Sequence, residues 1–455
     1  MSATVALSRQ EEISSALGID SQSSTELARY AADEIAPAAL AEPENVSAAA
    51  SVLKLASERE WAVMPVGGFS RAGWGNIPER SDIAVRTSKM NSVLQYDPGD
   101  LTISVEAGAK LAHLERTLAE HNQFLPINPV DPEQTVGGLI ATALQGPMQN
   151  WAMVRDFCIG VGFVTGDGKI AKAGGRVVKN VAGYDLMKLL VGSYGTLALI
   201  TSANFRVYPR PKQTRTFVMD FATREEALAI RDRIVHSPLA PLCLEIASPR
   251  ALEYLQAAPV EARDPDHYAP DSPVAPETHW RLALRAAGSD AVLARYAREL
   301  GSAVSKTVDA VEEAALWSCF GAFGERVLGR YRNSMLLQVS TTISDTKETI
   351  AAIEAAALDN NLLPAFVGRA GLAVLSVAMV PLSVDPPSAM QYANAASALR
   401  SELPAGSTAI VLRCPIEAKR HFDVWGTPSS DLASMRAIKR AMDPKNILNR
   451  GRFVV

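Results

Sequence analysis

Apolar positions recur at two different spacings along the first two hundred residues, and this alternation predicts short strands mixed with helices. Helical spacing, with an apolar residue every three or four positions, runs over residues 46–57 and 111–121. Short apolar runs bounded by turn residues predict strands at 61–66, 82–85 and 102–106. This half of the chain is therefore predicted to form an α+β domain.

A hairpin is predicted further along, because residues 160–164 and 169–173 are strand-like and a Gly-Asp-Gly turn at 166–168 joins them. The glycines at 160 and 162 are similar to the start of a dinucleotide-binding fingerprint. However, Thr165 occupies the place of the third glycine, and a hairpin follows instead of a helix. We therefore reject a Rossmann-type site here.

After Pro209-Arg210-Pro211 the pattern predicts a second α+β domain, a sheet that helices cover on one face. Its strands are predicted at residues 216–221, 242–247, 281–286, 336–340 and 374–380. Its helices are predicted at residues 224–235, 290–300, 346–358 and 388–403. Residues 257–278 contain five prolines and are predicted to form a surface insertion.

Composition adds three expectations about the class of protein. A chain of 455 residues with 48% hydrophobic residues is expected to form more than one core. A net charge of -4 gives no general attraction for phosphate backbones, so nucleic acid is not an expected partner. The residues at 1–18 lack the pattern of a signal peptide, and no run of about 18 apolar residues occurs, so we expect a cytoplasmic protein.

The cysteines and histidines of the chain suggest no metal site. The four cysteines stand far apart and form no ligand cluster, so neither structural zinc nor an iron-sulfur cluster is expected within this chain. None of the six histidines has another histidine two to four positions away, the spacing of a metal-binding pair. No metal is therefore predicted.

Three glycine-rich segments suggest a cofactor site. The first, residues 65–71, ends a predicted strand with two glycines and a serine, so backbone N–H groups there can approach a diphosphate. By itself this segment is more typical of a simple turn. The second, residues 126–141, places prolines before a Gly-Gly pair and a run of small residues, against which a flat cofactor can lie. The third spans residues 174–201.

Together, the three segments resemble the FAD-binding oxidoreductases typified by vanillyl-alcohol oxidase, D-lactate dehydrogenase and glycolate oxidase. The similarity covers about residues 40–210. The run KNVAGYDLMKLLVGSYGTLALIT at 179–201, the Trp-Gly pair at 74–75 and the chain end at 422–426 and 442–453 are similar to the FAD-binding E subunit of bacterial glycolate oxidases.

The resemblance implies an α+β fold of four parts. An N-terminal extension (1–40) precedes a PCMH-type FAD-binding domain of two α+β subdomains (41–210). An α+β cap domain with an antiparallel sheet follows (211–425), and a C-terminal segment (426–455) returns to the FAD domain. FAD is the implied cofactor. It is expected to be non-covalent, because no histidine lies between positions 65 and 77, where relatives with covalent FAD often carry one.

The resemblance also assigns cofactor contacts. The first loop corresponds to the diphosphate site, the second segment to the ribityl chain and ring, and the residues from 195 to 200 to the adenosine half. The implied contacts are Pro65, Val66, Gly67, Gly68, Phe69, Ser70, Arg71, Trp74, Pro129, Thr135, Val136, Gly137, Gly138, Ala141, Thr142, Gly146, Gly195 and Ile200. The chain departs from the family pattern at 143–146 and at Arg450, where a proline is usual.

No catalytic residue follows from the sequence. The histidine motifs with which related 2-hydroxy-acid dehydrogenases bind metal and substrate are absent. Lys179, in the glycine-rich motif, Arg332, beside Tyr331, and His421, next to the motif at 422–426, remain as candidates. Lys179 and Arg332 are equally well explained as ordinary charged residues, and for His421 the ordinary surface residue is the favoured interpretation.

Three functions therefore remain open. The first, which we favour, is the FAD-binding subunit of a glycolate oxidase, working beside a catalytic FAD subunit and an iron-sulfur subunit on a small 2-hydroxy acid, with membrane contact only peripheral, through partners, at the inner face. The second is an autonomous FAD-dependent dehydrogenase or oxidase for a 2-hydroxy acid or an alcohol. The third is a structural subunit that has lost FAD.

Overall fold

The structure is a computed structural model, and it describes residues 9–20, 22–128, 131, 133–176, 185–256, 277–308, 310–383, 387–426 and 431–454. The candidates Pro129 and Lys179 and most of the proline-rich insertion lie outside these residues. Among the described helices, none has the length and apolar character needed to cross a bilayer.

The chain begins with a small α+β unit built around a parallel sheet of order β1-β3-β2. Its elements are α1 (Arg9–Leu17), α2 (Ser24–Ala28), β1 (Ala39–Ala41), α3 (Val46–Glu58), β2 (Val63–Val66) and β3 (Ile83–Arg86). Leu53, Trp61 and Ile83 are fully buried in its core, and Leu448 from the end of the chain packs there too. The C-terminal segment therefore completes the first unit.

The second unit is an antiparallel sheet of order β4-β5-β9-β7-β8. Its elements are β4 (Val93–Asp97), β5 (Thr102–Glu106), α4 (Leu111–Ala119), β6 (Gln123–Phe124), α5 (Val136–Thr142), a 3-10 turn (Pro147–Asn150), α6 (Val154–Phe157), β7 (Cys158–Thr165), β8 (Ile170–Gly174), α7 (Met187–Leu190), β9 (Ala198–Arg206) and β10 (Tyr208–Pro209). The hairpin predicted from the Gly-Asp-Gly turn is confirmed, since β7 pairs with β8.

The third unit is a sheet in which every neighbouring pair is antiparallel, in the order β14-β11-β13-β12-β16-β17-β15-β18. Its elements are β11 (Thr214–Phe221), α8 (Arg224–Val235), β12 (Cys243–Ala247), α9 (Pro249–Gln256), β13 (Trp280–Ala287), α10 (Asp290–Leu300), a 3-10 turn (Gly301–Ala303), β14 (Lys306–Val308), α11 (Ala310–Gly321), α12 (Phe323–Arg330), β15 (Met335–Ser340), α13 (Thr346–Leu358), β16 (Leu362–Arg369), β17 (Val374–Pro381), α14 (Ala389–Glu402), β18 (Thr408–Arg413) and α15 (Ile416–Lys419). After it, α16 (Leu432–Met442) begins the return to the first unit.

The third unit corresponds to the predicted cap domain, and its sheet is called the cap sheet below. Helices cover both faces of this sheet, so the predicted one-sided arrangement is wrong. Side chains alternate along β12, and Leu244 and Ile246 join the core formed with α8, α10, α13 and α14. Cys243 and Ala247 point to the opposite face and pack with Trp317 of α11 and with α9 and α12. The second face also touches the FAD-binding half, through Met148.

A buried ion pair fastens the cap to the first unit. Lys419 Nζ, at the end of α15, lies 2.7 Å from Asp33 Oδ2 and donates to the carbonyl oxygens of Gly73 at 2.6 Å and Gly75 at 3.0 Å. Burial lowers the pKa of Lys419, and the adjacent Asp33 carboxylate opposes that effect. The contact bridges segments that lie more than 300 residues apart in sequence.

We predict that Lys419→Met destabilises the protein by about 3–5 kcal/mol, because it leaves the buried Asp33 carboxylate without its cation. Urea unfolding measures this change. Lys306→Met serves as the matched control, since Lys306 pairs with Glu312 at 2.9 Å with both side chains largely exposed, and it is expected to change stability little. Equal stabilities of the two variants would contradict this role for Lys419.

Candidate cofactor cleft and adjoining chamber

A cleft lies where the parallel sheet, the five-stranded sheet and the C-terminal segment meet. The predicted contacts that line it are Pro65, Val66, Gly67, Gly68, Phe69, Ser70, Arg71, Thr135, Gly137, Gly138, Ala141, Thr142, Gly195 and Ile200. Val136 instead faces the core, where it is fully buried, and Trp74 and Gly146 line a neighbouring chamber.

The first glycine loop is held against the second by contacts that leave no room for side chains. A Cβ on Gly68 would lie 1.8 Å from the carbonyl oxygen of Glu133, and one on Gly67 would lie 2.3 Å from Thr135 Oγ1. The next residue, Phe69, has a left-handed φ of 61°, which is uncommon for a side chain of this size. Packing between two loops therefore dictates glycine at both positions.

The same loop presents unused backbone donors to the cleft. Within the described part of the chain, the N–H groups of residues 67–71 donate no hydrogen bond to protein atoms. Successive free N–H groups in such a loop form a typical binding surface for a phosphate or diphosphate. The loop thus fits the diphosphate of FAD.

The beginning of α5 has no such free donors. Val136 N donates to Ala109 O at 2.9 Å and Gly137 N to Ala107 O at 2.8 Å, while Thr135 Oγ1 accepts from Gly138 N at 3.2 Å. These N–H groups therefore bond within the protein and are not available to a ligand. Its small residues form a wall of the cleft, and the loop at 67–71 supplies the free donors.

The C-terminal segment closes the cleft with residues that were not singled out from the sequence. Asn449 Nδ2 donates to Tyr194 O at 2.6 Å, and Asn449 Oδ1 is buried without a partner among the described residues. The Tyr194 ring packs edge-on against Trp425, with centroids 4.6 Å apart. Burial raises the pKa of Tyr194 to about 12, so its hydroxyl stays protonated and can donate a hydrogen bond to a ligand.

Arg452 anchors the stretch that follows the first glycine loop. Its Nη2 donates to Ala72 O at 2.6 Å and also to Trp74 O. Burial lowers the pKa of Arg452, although the Asp33 carboxylate opposes the effect. The sequence signal for Asn449 and Arg452 was their position in residues 442–453, where the chain resembles the E subunit of glycolate oxidases. That resemblance assigned no role to either residue.

Arg71 lines both the cleft and the neighbouring chamber. Its Nη1 lies 3.3 Å from Glu325 Oε1 and 3.8 Å from Asp131 Oδ2, and its guanidinium lies 4.9 Å from the Trp74 ring centroid. Arg71 Nε and Nη2 are buried without hydrogen-bond partners among the described residues. These free donors suit an anionic group of a ligand.

The chamber lies between Trp74 and Gly146 on one side and the cap sheet on the other. Its walls are mainly apolar, and the cap contributes Glu245 and Arg369 to it. Neither residue was a candidate from the sequence. Both stand on strands whose apolar neighbours are buried.

The catalytic candidates from the sequence lie elsewhere. Arg332 and His421 are exposed and line neither cavity, while Lys179 is outside the described residues. Among the described residues, no group of three or more His, Cys, Asp or Glu side chains is arranged to hold a metal ion. We therefore do not pursue Arg332 or His421 as catalytic residues.

The fold and the cleft define a flavoprotein of the PCMH type. The structure resembles 4-ethylphenol oxidase from Gulosibacter chungangensis, with a TM-score of 0.73 and 15% identity, over 98% of this chain and 96% of that one. It resembles p-cresol methylhydroxylase with a TM-score of 0.69 and 17% identity over the same shares. These similarities confirm the predicted fold class.

Two family models match the chain. Residues 37–174 match an FAD binding domain, and residues 210–399 and 427–453 match the C-terminal domain of FAD linked oxidases. The chain belongs to the FAD-linked oxidoreductases, and FAD is its cofactor. The prediction of an FAD-dependent oxidoreductase is therefore confirmed.

Three relatives are named after small hydroxy acids. Glycolate oxidase subunit GlcE of Escherichia coli is 36% identical over 39% of this chain and 51% of its own length. D-lactate dehydrogenase of Archaeoglobus fulgidus is 32% identical over 46% of this chain and 47% of its own. The chain thus spans about half the length of these two relatives. D-2-hydroxyglutarate dehydrogenase of Xanthomonas citri is 25% identical over 92% and 89%.

We predict that Gly68→Ala lowers FAD affinity by about tenfold or more, because the added methyl group forces apart the two loops that shape the cleft. Flavin absorbance per protein after gel filtration, followed by titration with FAD, measures the loss. Gly99→Ala is the matched control, because a Cβ at Gly99 would meet no atom within 4 Å. A Gly68→Ala protein with wild-type affinity would show that this packing does not shape the cofactor site.

Proposed function

We propose that this chain is the FAD-binding subunit of a glycolate oxidase that oxidises a small 2-hydroxy acid. The observation that carries the proposal is the free N–H groups of residues 67–71, which line the cleft, in a chain 36% identical to a glycolate oxidase subunit over the matched region. When bound, the flavin supplies two-electron oxidation chemistry.

The residues of the cleft have separate roles in this proposal. The loop at 67–71 holds the diphosphate, and the small residues of α5 and the residues at 195–200 contact the rest of the cofactor. Asn449 and Arg452 act as positioning residues, because they bind the carbonyl groups of the neighbouring loops. Among the described residues, the side chains that line the cleft include no histidine or cysteine, which supports non-covalent attachment of FAD.

The proposed partners are a catalytic FAD subunit and an iron-sulfur subunit, to which electrons pass from FAD. Support comes from relatives whose names describe them as subunits of a glycolate oxidase. The cysteines of this chain also favour a cluster on another chain, since Cys158, Cys243 and Cys414 are buried in separate places. We propose a cytoplasmic location, with any contact to the inner face of the membrane made through partners.

An autonomous hydroxy-acid dehydrogenase is the second candidate. A specific observation favours it, because D-2-hydroxyglutarate dehydrogenase of Xanthomonas citri is matched over 89% of its length. The chamber between the FAD-binding half and the cap, which contains Glu245 and Arg369, offers space for a substrate of this chain's own.

We predict that the chain, affinity-purified from its native source, is yellow, releases its flavin into the supernatant on acid precipitation, and co-purifies with a second flavoprotein and an iron-sulfur protein. Absorbance spectroscopy and mass spectrometry provide these readouts. Flavin that stays in the pellet would contradict non-covalent binding.

The same preparation separates the alternatives. A lone yellow protein that glycolate or another 2-hydroxy acid bleaches without air would replace the subunit proposal with the autonomous dehydrogenase. A colourless preparation that cannot be reconstituted with FAD would leave the structural subunit.

A further inference from the structure

Two side-chain amides of the cofactor cleft have buried oxygen atoms without a partner. Gln134 and Asn449 both line the cleft. Gln134 is 3% exposed, and Asn449 is partly exposed as a residue although its Oδ1 is buried. Neither Gln134 Oε1 nor Asn449 Oδ1 accepts a hydrogen bond from a described residue. A buried acceptor left unpaired costs free energy, so each oxygen is expected to find its donor on the ligand of the cleft.

The nitrogen atom of each amide fixes the direction of its oxygen. Gln134 Nε2 donates to Leu144 O at 3.2 Å, and Asn449 Nδ2 donates to Tyr194 O at 2.6 Å. Rotating either amide by half a turn would set its oxygen against a carbonyl oxygen, and two acceptors repel each other. The nitrogen therefore stays bound to the protein, and the oxygen is left as an acceptor for a ligand.

A third buried amide shows how this fold treats such a group away from the cleft. Gln123 is 6% exposed and does not line the cleft. Its Oε1 accepts from the Tyr96 hydroxyl at 2.8 Å, and its Nε2 donates to Pro98 O at 2.8 Å. Both ends of this amide are satisfied by the protein. The open acceptors of Gln134 and Asn449 are therefore a property of the cleft.

The two acceptors lie on different sides of the cleft. Leu144, which binds the Gln134 amide, lines the chamber beside the cap. Asn449 lies against the first unit, because its backbone N donates to Val63 O at 2.8 Å and a Cβ on Gly195 would lie 3.0 Å from its Nδ2. The flavin is the half of FAD that reacts, so it faces the chamber, and the adenosine half lies towards the first unit. Gln134 is thus placed for the flavin half and Asn449 for the adenosine half.

We propose that Gln134 and Asn449 select the complete dinucleotide, because each accepts a hydrogen bond from a different half of FAD. Gln134 Oε1 accepts from the flavin half, whose donors are the ribityl hydroxyls and a ring N–H. Asn449 Oδ1 accepts from the adenosine half, whose donors are the ribose hydroxyls and the adenine amine. This inference goes beyond the proposed function, since it rests on FAD as the cofactor and does not depend on the substrate or the partners.

FMN and ADP separate the two contacts, because FMN carries only the flavin half and ADP carries only the adenosine half with the diphosphate. Flavin-free protein is titrated by calorimetry with FAD, FMN and ADP, or by competition against FAD where binding is weak. Gln134→Met should weaken FAD and FMN by about tenfold and leave ADP unchanged, as expected for the loss of one buried hydrogen bond. Asn449→Leu should weaken FAD and ADP by about tenfold and leave FMN unchanged.

The matched control is Gln123→Met, which removes a buried amide outside the cleft and should leave the affinity for all three ligands unchanged. A residue that only holds its loop in place would weaken the three ligands together when it is replaced. The ratio of affinities within one variant does not depend on the fraction of protein that folds. If either cleft variant does not fold, Gln134→Ala and Asn449→Ala make the same comparison, because their smaller side chains admit water to the vacated space.

Three results would overturn the inference while leaving the proposed subunit function intact. The first is a variant at Gln134 or Asn449 that weakens all three ligands equally, and the second is a variant that binds FAD as tightly as the wild type. The third is wild-type protein from which neither FMN nor ADP displaces FAD, since neither half would then make a contact of its own. Wild-type protein that never binds FAD would instead overturn the proposed function.

Discussion

Buried cations that bind backbone carbonyl groups hold this molecule together. Lys419, Lys439 and Arg452 all lie near the end of the chain, and each donates to carbonyl oxygens of loops that border the cofactor cleft or support it. Lys439 donates to Thr196 O at 2.7 Å and also pairs with Asp443. A charge is tolerated in the interior only where its partners are fixed. The shape of the cleft therefore depends on residues that arrive last in the sequence.

Two other buried cations have a different character. Arg71 and Arg369 keep donor atoms without partners, and those atoms belong to residues that line the chamber. A buried charged atom without a partner costs free energy. Lys419 and Lys439, in contrast, each have partners that the fold fixes.

The spacing of apolar and polar residues predicted those helices and strands whose boundaries are marked by neighbouring residues in the sequence. The helix Arg224–Val235 was predicted from end to end, and in the structure a capping box at Thr223 and Glu226 marks its start. The strand Leu362–Arg369 was missed. It lies inside the sheet and contains Pro364 and Gly368, so it lacks the polar alternation of a half-exposed strand. Helices α11 and α12 were missed as well, and without them the second covered face of the cap sheet could not be foreseen.

The cofactor loops could be predicted because their glycines are contiguous. The structure gives a different reason for the glycine at position 68, where a side chain would collide with the carbonyl oxygen of Glu133. The chamber could not be predicted in the same way, because β12 and β16 meet only in the folded sheet. A signal was nevertheless present. Glu245 stands alone among apolar residues in Leu244-Glu245-Ile246, and a charge in the middle of a buried strand needs a partner. An isolated charge within a predicted core strand is therefore a sequence signal for a buried polar contact that only the folded sheet reveals.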